Sequence, residues 1–175
     1  FTTPSGGNGQ TSLLLSIANE LTENGGDVVV CDFDLAYGDV AFFLGMKNLT
    51  PHLGNLLESP DYLSEEAIRD HIIDHSSGIG VLVPPRSPRE GFGLDRSKVA
   101  EIILRLTTMV DYVLVDMPSG LREYDTSLLE EARYVVPVTD GRIGSIKNLR
   151  YFVRMLMEMG IDQDRILPFL VGHRE

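Results

Sequence analysis

"PSGGNGQTS", residues 4–12, decides how the rest of this 175-residue chain is read. Gly6, Gly7 and Gly9 are more glycine than a simple strand-to-helix turn requires. Glycine lets a backbone take unusual dihedrals and come close to an anion. Successive backbone N–H groups, backed by a helix N-terminus, form an anion cradle. Thr11 follows, with a hydroxyl able to bind magnesium. Such a loop normally has a lysine just before that hydroxyl. Here Gln10 holds the place, keeping an amide donor but no charge. The glycine order does not fit the G-x-G-x-x-G turn of dinucleotide enzymes.

Outward from the loop, strands and helices alternate. "FTT" (1–3) reads as the tail of a strand, and residues 9–25 as a helix with Leu14, Ile17, Ala18 and Leu21 on one face. Gly25 and Gly26 stop it. "DVVVCDFD" (27–34) is an apolar, β-branched run, as expected of a strand buried on both faces of a parallel sheet. Short helices are expected in "YGDVAFFLG" and in "LTPHLGNLLE", the latter with Thr50 as N-cap and Pro51 at its first position. Residues 64–73 read as a helix. Ser64 and Ala67 fail the capping box there, but Glu65 and Glu66 favour the start through the helix dipole. Further strands are expected at 78–85, 111–120, 134–140 and 165–175, with helices at 94–109, 126–133 and 144–160. Residues 84–93, rich in Pro, Gly and Arg, read as a loop. The alternation predicts an α/β fold, a mostly parallel sheet with helices on both faces.

Composition narrows the function. The net charge of −11 repels nucleic acid and anionic membrane, and the basic residues form no run. No apolar stretch is long enough to span a bilayer. Cys31 is the lone cysteine, so no intrachain disulfide exists, which fits a reducing compartment. His52, His71 and His75 share no metal-ligand spacing and read as surface or cap residues.

Ligands of such sheets bind beyond the carboxyl ends of the strands. Asp32 and Asp34 close one apolar run, and Asp116 closes "YVLVD" ahead of a Pro-Ser-Gly loop. A carboxylate after a buried strand is the magnesium-side group of a phosphate-loop protein.

In order and spacing these segments resemble the deviant-Walker-A ATPases of the MinD/ParA family, and within it the TadZ/CpaE pilus-assembly branch. "SGGNGQTS" stands where the family has Lys-Gly-Gly-x-Gly-Lys and two hydroxyl residues. "VVVCDFDLAYGDVAFFLG", "VLVPP", "VAEIILRLTTMVDYVLVDMPSGL", "YVVPVTDGRIGSIKNLRYFVRML" and "FLVGHRE" continue the likeness over nearly the whole chain. The resemblance implies a three-layer P-loop NTPase-like fold of the SIMIBI type, formed by residues 1–175 as one domain. It also implies a longer chain with a receiver-like domain upstream.

The resemblance implies ATP and Mg2+ as ligands. Gly6, Gly7, Asn8 and Gly9 would wrap the phosphates beside Gln10, and Ser12 would support the α-phosphate. Thr11, Asp32 and Asp116 would serve the metal, Asp34 would orient the attacking water, and His173 and Arg174 would lie at the base. Ser5 and Gln10 replace both lysines of the family's motif, and His173 replaces an asparagine. Loss of a charge-assisted phosphate contact costs about 1.5–3 kcal/mol. Electrostatic stabilisation dominates phosphoryl transfer, so turnover suffers more than binding. The expectation is a degenerate nucleotide-binding or scaffolding protein that positions a Tad-type pilus or secretion system, with weak or absent hydrolysis. The alternative is a slow Mg-ATPase acting as an ATP-controlled dimerisation switch. The implied partners are a second copy and pilus machinery proteins. The implied place is the cytoplasm, with recruitment to the cell pole or an inner-membrane secretion complex. No MinD-like membrane-targeting helix is seen near Glu175.

Overall fold

The computed structural model describes residues 1–120 and 126–172, which cluster into two compact units. One contains residues 11–116, and the other residues 1–10 and 117–175.

In the first of these, α1 (Gln10–Glu23) begins at the loop and extends through residues 11–23. Leu14 and Ala18 are fully buried, as the expected stripe requires. Gly25, at φ +88°, donates to Thr22 O, and Gly26 N donates to Leu21 O, which ends the helix in a Schellman motif. β1 (Val28–Asp32) is buried along its whole length. The short helices α2 (Val40–Phe43), α3 (Leu53–Glu58) and α4 (Glu65–Arg69) follow. Next come β2 (Ile73–Asp74), β3 (Gly80–Leu82), α5 (Pro88–Gly93), α6 (Arg96–Leu106) and β4 (Tyr112–Asp116). The strands form one sheet in the order β2-β3-β1-β4. β1 runs parallel to both β3 and β4, and only β2 is antiparallel. The register of β1 on β4 sets Asp32 directly beside Asp116. On α6, Val99, Ile102, Ile103 and Leu106 repeat at helical spacing and are buried, while Asp95 caps the helix by accepting from Ser97 N at 3.0 Å.

In the other unit, Thr2 pairs in parallel with Pro137. β5 (Val138–Asp140) pairs in parallel with β6 (Phe169–Val171). α7 (Thr126–Glu131) and α8 (Ile143–Glu158) complete it. Leu129, Val135, Phe152, Leu156, Ile161 and Ile166 form its core.

The mixed α/β, mainly parallel architecture is as expected from the sequence, with local corrections. His52, not Thr50, is the N-cap of the helix after Pro51, which starts at Leu53. The helix expected over 64–73 ends at Arg69, and Ile73–Asp74 pairs with β3 instead. Ser64 caps it alone, accepting from Ala67 N at 3.2 Å. The expected loop 84–93 contains α5, with Ser87 as N-cap and Pro88 in its first turn. The segment 165–175 holds the last strand as expected, described at Phe169–Val171 and preceded by a 3-10 turn at Gln163–Arg165.

Candidate functional site

The loop lies between Thr3 and α1. Its tip, Gly6–Gly7, is exposed, and Gly7 and Gly9 have φ of +79° and +76°. Those left-handed dihedrals explain the glycines at these two positions. Asn8, 2% exposed, closes the loop from within. Its Nδ2 donates to Thr3 Oγ1 at 2.9 Å, Ser5 O at 2.8 Å and Ser5 Oγ at 3.2 Å. Thr3 Oγ1 donates to Ser5 O at 2.7 Å, so a net of short bonds fixes the curve. A Cβ on Gly9 would touch Val171 Cγ1 at 3.4 Å.

Gln10 points inward. It is buried, and its Nε2 donates to the Met117 carbonyl at 2.7 Å. The amide at the usual lysine position is therefore engaged with the protein's own backbone.

Thr11, Ser12, Asp32, Asp34 and Asp116 belong to the unit of residues 11–116, with the four-stranded sheet. Thr11 Oγ1 donates to Asp116 Oδ2 at 2.6 Å, bringing together two residues 105 apart in sequence. Asp32 and Asp116 are both buried at adjacent strand ends. Asp32 Oδ1 accepts from Asp34 N and Oδ2 from Val40 N, each at 3.1 Å. These bonds fasten the segment between β1 and α2. Burial, then the Asp116 charge, pushes the Asp32 carboxyl well above the usual carboxylate range, and the two backbone N–H groups pull the other way. Asp34 is half-buried, with Oδ1 accepting from Tyr37 N at 3.2 Å. Ser12 is exposed on the first turn of α1. Among the described residues, no group of three or more His, Cys, Asp or Glu is arranged to hold a metal ion. His173 and Arg174, assigned to the base, lie outside the described residues.

Sequence reasoning missed two functional-looking positions. Gly38 lies against Asp32, where a Cβ would fall 2.2 Å from Oδ2. Asp140, at the end of β5, is fully buried and accepts from Arg142 N at 3.1 Å and Arg142 Nε at 2.6 Å. Hydrogen bonds from Arg142 and then Ser145 hold its carboxyl well below the usual range. The signal was present in "YVVPVTD", an apolar run ending in Asp, as in "YVLVD". His52, His71 and His75, expected as surface or cap residues, are half-buried: His52 is the N-cap of α3, His71 Nδ1 lies 2.7 Å from Ala67 O, and His75 Nδ1 lies 2.9 Å from Ser77 Oγ.

No protein-family model matches the chain. An uncharacterized ATP-binding protein of Methanocaldococcus jannaschii is 30% identical over 148 residues, 83% of this chain and 54% of that protein. The septum site-determining protein MinD of Helicobacter pylori is 29% identical over 141 residues, 79% of this chain and 51% of MinD. A ParA family ATPase from Chlorobium tepidum superposes with a TM-score of 0.87 over 97% of this chain and 71% of that one, at 19% identity. In sequence the chain is related to MinD, and it shares the fold of the ParA family ATPase. The MinD–Mg-ADP complex of Pyrococcus horikoshii gives a TM-score of 0.77 over 95% of this chain and 66% of that chain, again at 19% identity. At that identity the solved structures establish the fold. The chain spans about half the length of the curated relatives it matches.

Proposed function

We propose that this chain is a nucleotide-binding scaffold of the TadZ/CpaE branch that positions a Tad-type pilus or secretion system, with weak or absent hydrolysis. One observation carries the reading. The loop keeps positive-φ glycines at Gly7 and Gly9, while Ser5 and an inward-turned Gln10 stand where the motif has cations. Backbone N–H groups of Gly6–Gly9 hold phosphate, and Ser12 supports the α-phosphate. Thr11 and Asp116 would hold magnesium, which would supply positive charge against the phosphates. Asp32, beside Asp116, adds charge on the metal side, and Asp34 orients water in any residual hydrolysis. His173 and Arg174 serve the base. The ATP-binding name of the M. jannaschii relative and the Mg-ADP bound to P. horikoshii MinD support the ligand class. The working form is a cytoplasmic homodimer, recruited to the cell pole or inner-membrane secretion complex, with a receiver-like domain upstream.

Calorimetry with Mg-ATP, paired with phosphate release, tests this. Binding weaker than micromolar with no turnover is expected. Micromolar binding with turnover that disappears in Asp34→Ala would refute the scaffold and favour a slow Mg-ATPase switch. The Thr11–Asp116 hydrogen bond at 2.6 Å, an intact magnesium-side pair, is the observation on that side.

A further inference from the structure

Residues 4–12 contain no Lys, Arg or His. Gln10, the side chain at the lysine position, is 8% exposed and donates inward to Met117 O at 2.7 Å. The same segment is fastened to the front of the loop. Met117 N donates to Phe1 O and Gly120 N donates to Thr3 O, both at 3.0 Å. Gln10 completes a stitch that ties residues 117–120 to both ends of the loop. Asn8 holds the interior of the curve with its own bonds to Thr3 and Ser5.

In a phosphate loop with its lysine, the cation lies along the β- and γ-phosphates, so a third phosphate meets additional positive charge. Here the amide in that place is held by Met117 O, and the loop brings no cation to a third phosphate. What remains is an array of backbone N–H groups, which recognises the phosphates nearest the helix N-terminus.

We infer that Gln10 sets the phosphate-number specificity of this loop, so that it takes nucleoside diphosphates and triphosphates with nearly equal affinity. This rests on the nucleotide-binding reading above. Gln10 acts here as a specificity residue by leaving the lysine position uncharged, while its bond to Met117 O positions the loop for both nucleotides alike, and the diphosphate group is what the loop recognises.

Calorimetry with Mg-ADP, Mg-ATP and AMP on wild type, Gln10→Lys and Gln10→Met tests the inference. In wild type the Mg-ADP and Mg-ATP dissociation constants should agree within roughly threefold, less than one hydrogen bond to a charged group provides, with AMP far weaker. Gln10→Lys restores a cation and should shift the ratio roughly tenfold toward ATP. Gln10→Met breaks the bond to Met117 O without adding charge. It should weaken both nucleotides and leave their ratio near one, which a merely structural role of Gln10 shares only in part, since it leaves the lysine variant's ratio unmoved. A wild-type preference for ATP of about tenfold or more overturns the inference. So does a Gln10→Lys variant that binds both nucleotides at an unchanged ratio. If that variant does not fold, the wild-type and Gln10→Met ratios decide. Folded wild-type protein, checked by circular dichroism, that binds neither nucleotide refutes the nucleotide-binding reading and this inference with it.

Discussion

Gly38→Ala tests the role of Asp32 most sharply. An added Cβ would lie 2.2 Å from Asp32 Oδ2 and 2.5 Å from Cγ, over 1 Å short of ordinary contact at 3.4 Å. Gly38 has no left-handed backbone requirement, so the whole cost comes from that collision. To make room, the carboxylate must retreat by about 1 Å, which stretches its 3.1 Å bonds from Asp34 N and Val40 N beyond useful length. Overpacking typically costs about 1–3 kcal/mol, and each hydrogen bond to a charged group about 1.5–3 kcal/mol. The lower ends of these ranges, with two bonds lost, give an expected loss of about 4 kcal/mol. That is a large share of the roughly 5–15 kcal/mol that holds a domain folded. Asp32→Ala removes the obstacle together with the bonds. In that background Gly38→Ala should be neutral or stabilise by up to about 1 kcal/mol, because only the Gly-to-Ala loss of unfolded-chain entropy remains. Urea unfolding of wild type, both single variants and the double variant gives the cycle. The expected coupling is about 2 kcal/mol or more. A Gly38→Ala cost equal in both backgrounds would refute the view that Asp32 organises this segment.

Other perturbations probe the loop and the second buried carboxylate. Asn8→Ala deletes the donor shared by Thr3 Oγ1 and Ser5 O and should destabilise by about 1–3 kcal/mol, with faster hydrogen exchange at Gly6–Gly9; unchanged exchange there argues against an internal brace. The Asp140 carboxyl is lowered in the folded protein, so unfolded chains bind the extra proton between the folded and unfolded pKa values. Its stabilisation is full above the usual carboxylate range and disappears as pH falls through the folded value. Arg142→Ala, which removes the main cause, should flatten the acid side of a stability–pH curve; an identical acid slope would count against it. Asp32 runs the other way. Its folded pKa is raised, so its cost grows as pH rises from the unfolded carboxylate range toward the folded value.

The sequence by itself determined the types and order of the longer elements and the position of the loop. The run "VVVCD" reads as a strand because a parallel strand buried on both faces must be apolar throughout, and "YVLVD" carries the same apolar pattern although Tyr112 at its start is exposed. Helices with strong one-sided periodicity, α1 and α6, were legible for the same local reason. Short elements were not. α5 carries Pro88, Gly91 and Gly93, a composition that locally reads as loop, and only close packing on the 35–36 backbone accounts for Gly91, whose Cβ would fall 1.7 Å from Leu35 O. β2 exists because β3 offers it a free edge, and Ile73–Asp74 alone has no strand signal. At the site, the residue types were readable but their partners were not. Whether Gln10 faced phosphate or protein depended on the Met117 carbonyl, 107 residues away, and whether Asp32 was free depended on how the chain turned toward Val40. Local propensity and burial pattern act within a few residues, so they are written in the sequence. The direction of a polar side chain is set by which distant backbone group the fold brings within 3 Å, and that only the tertiary structure decided.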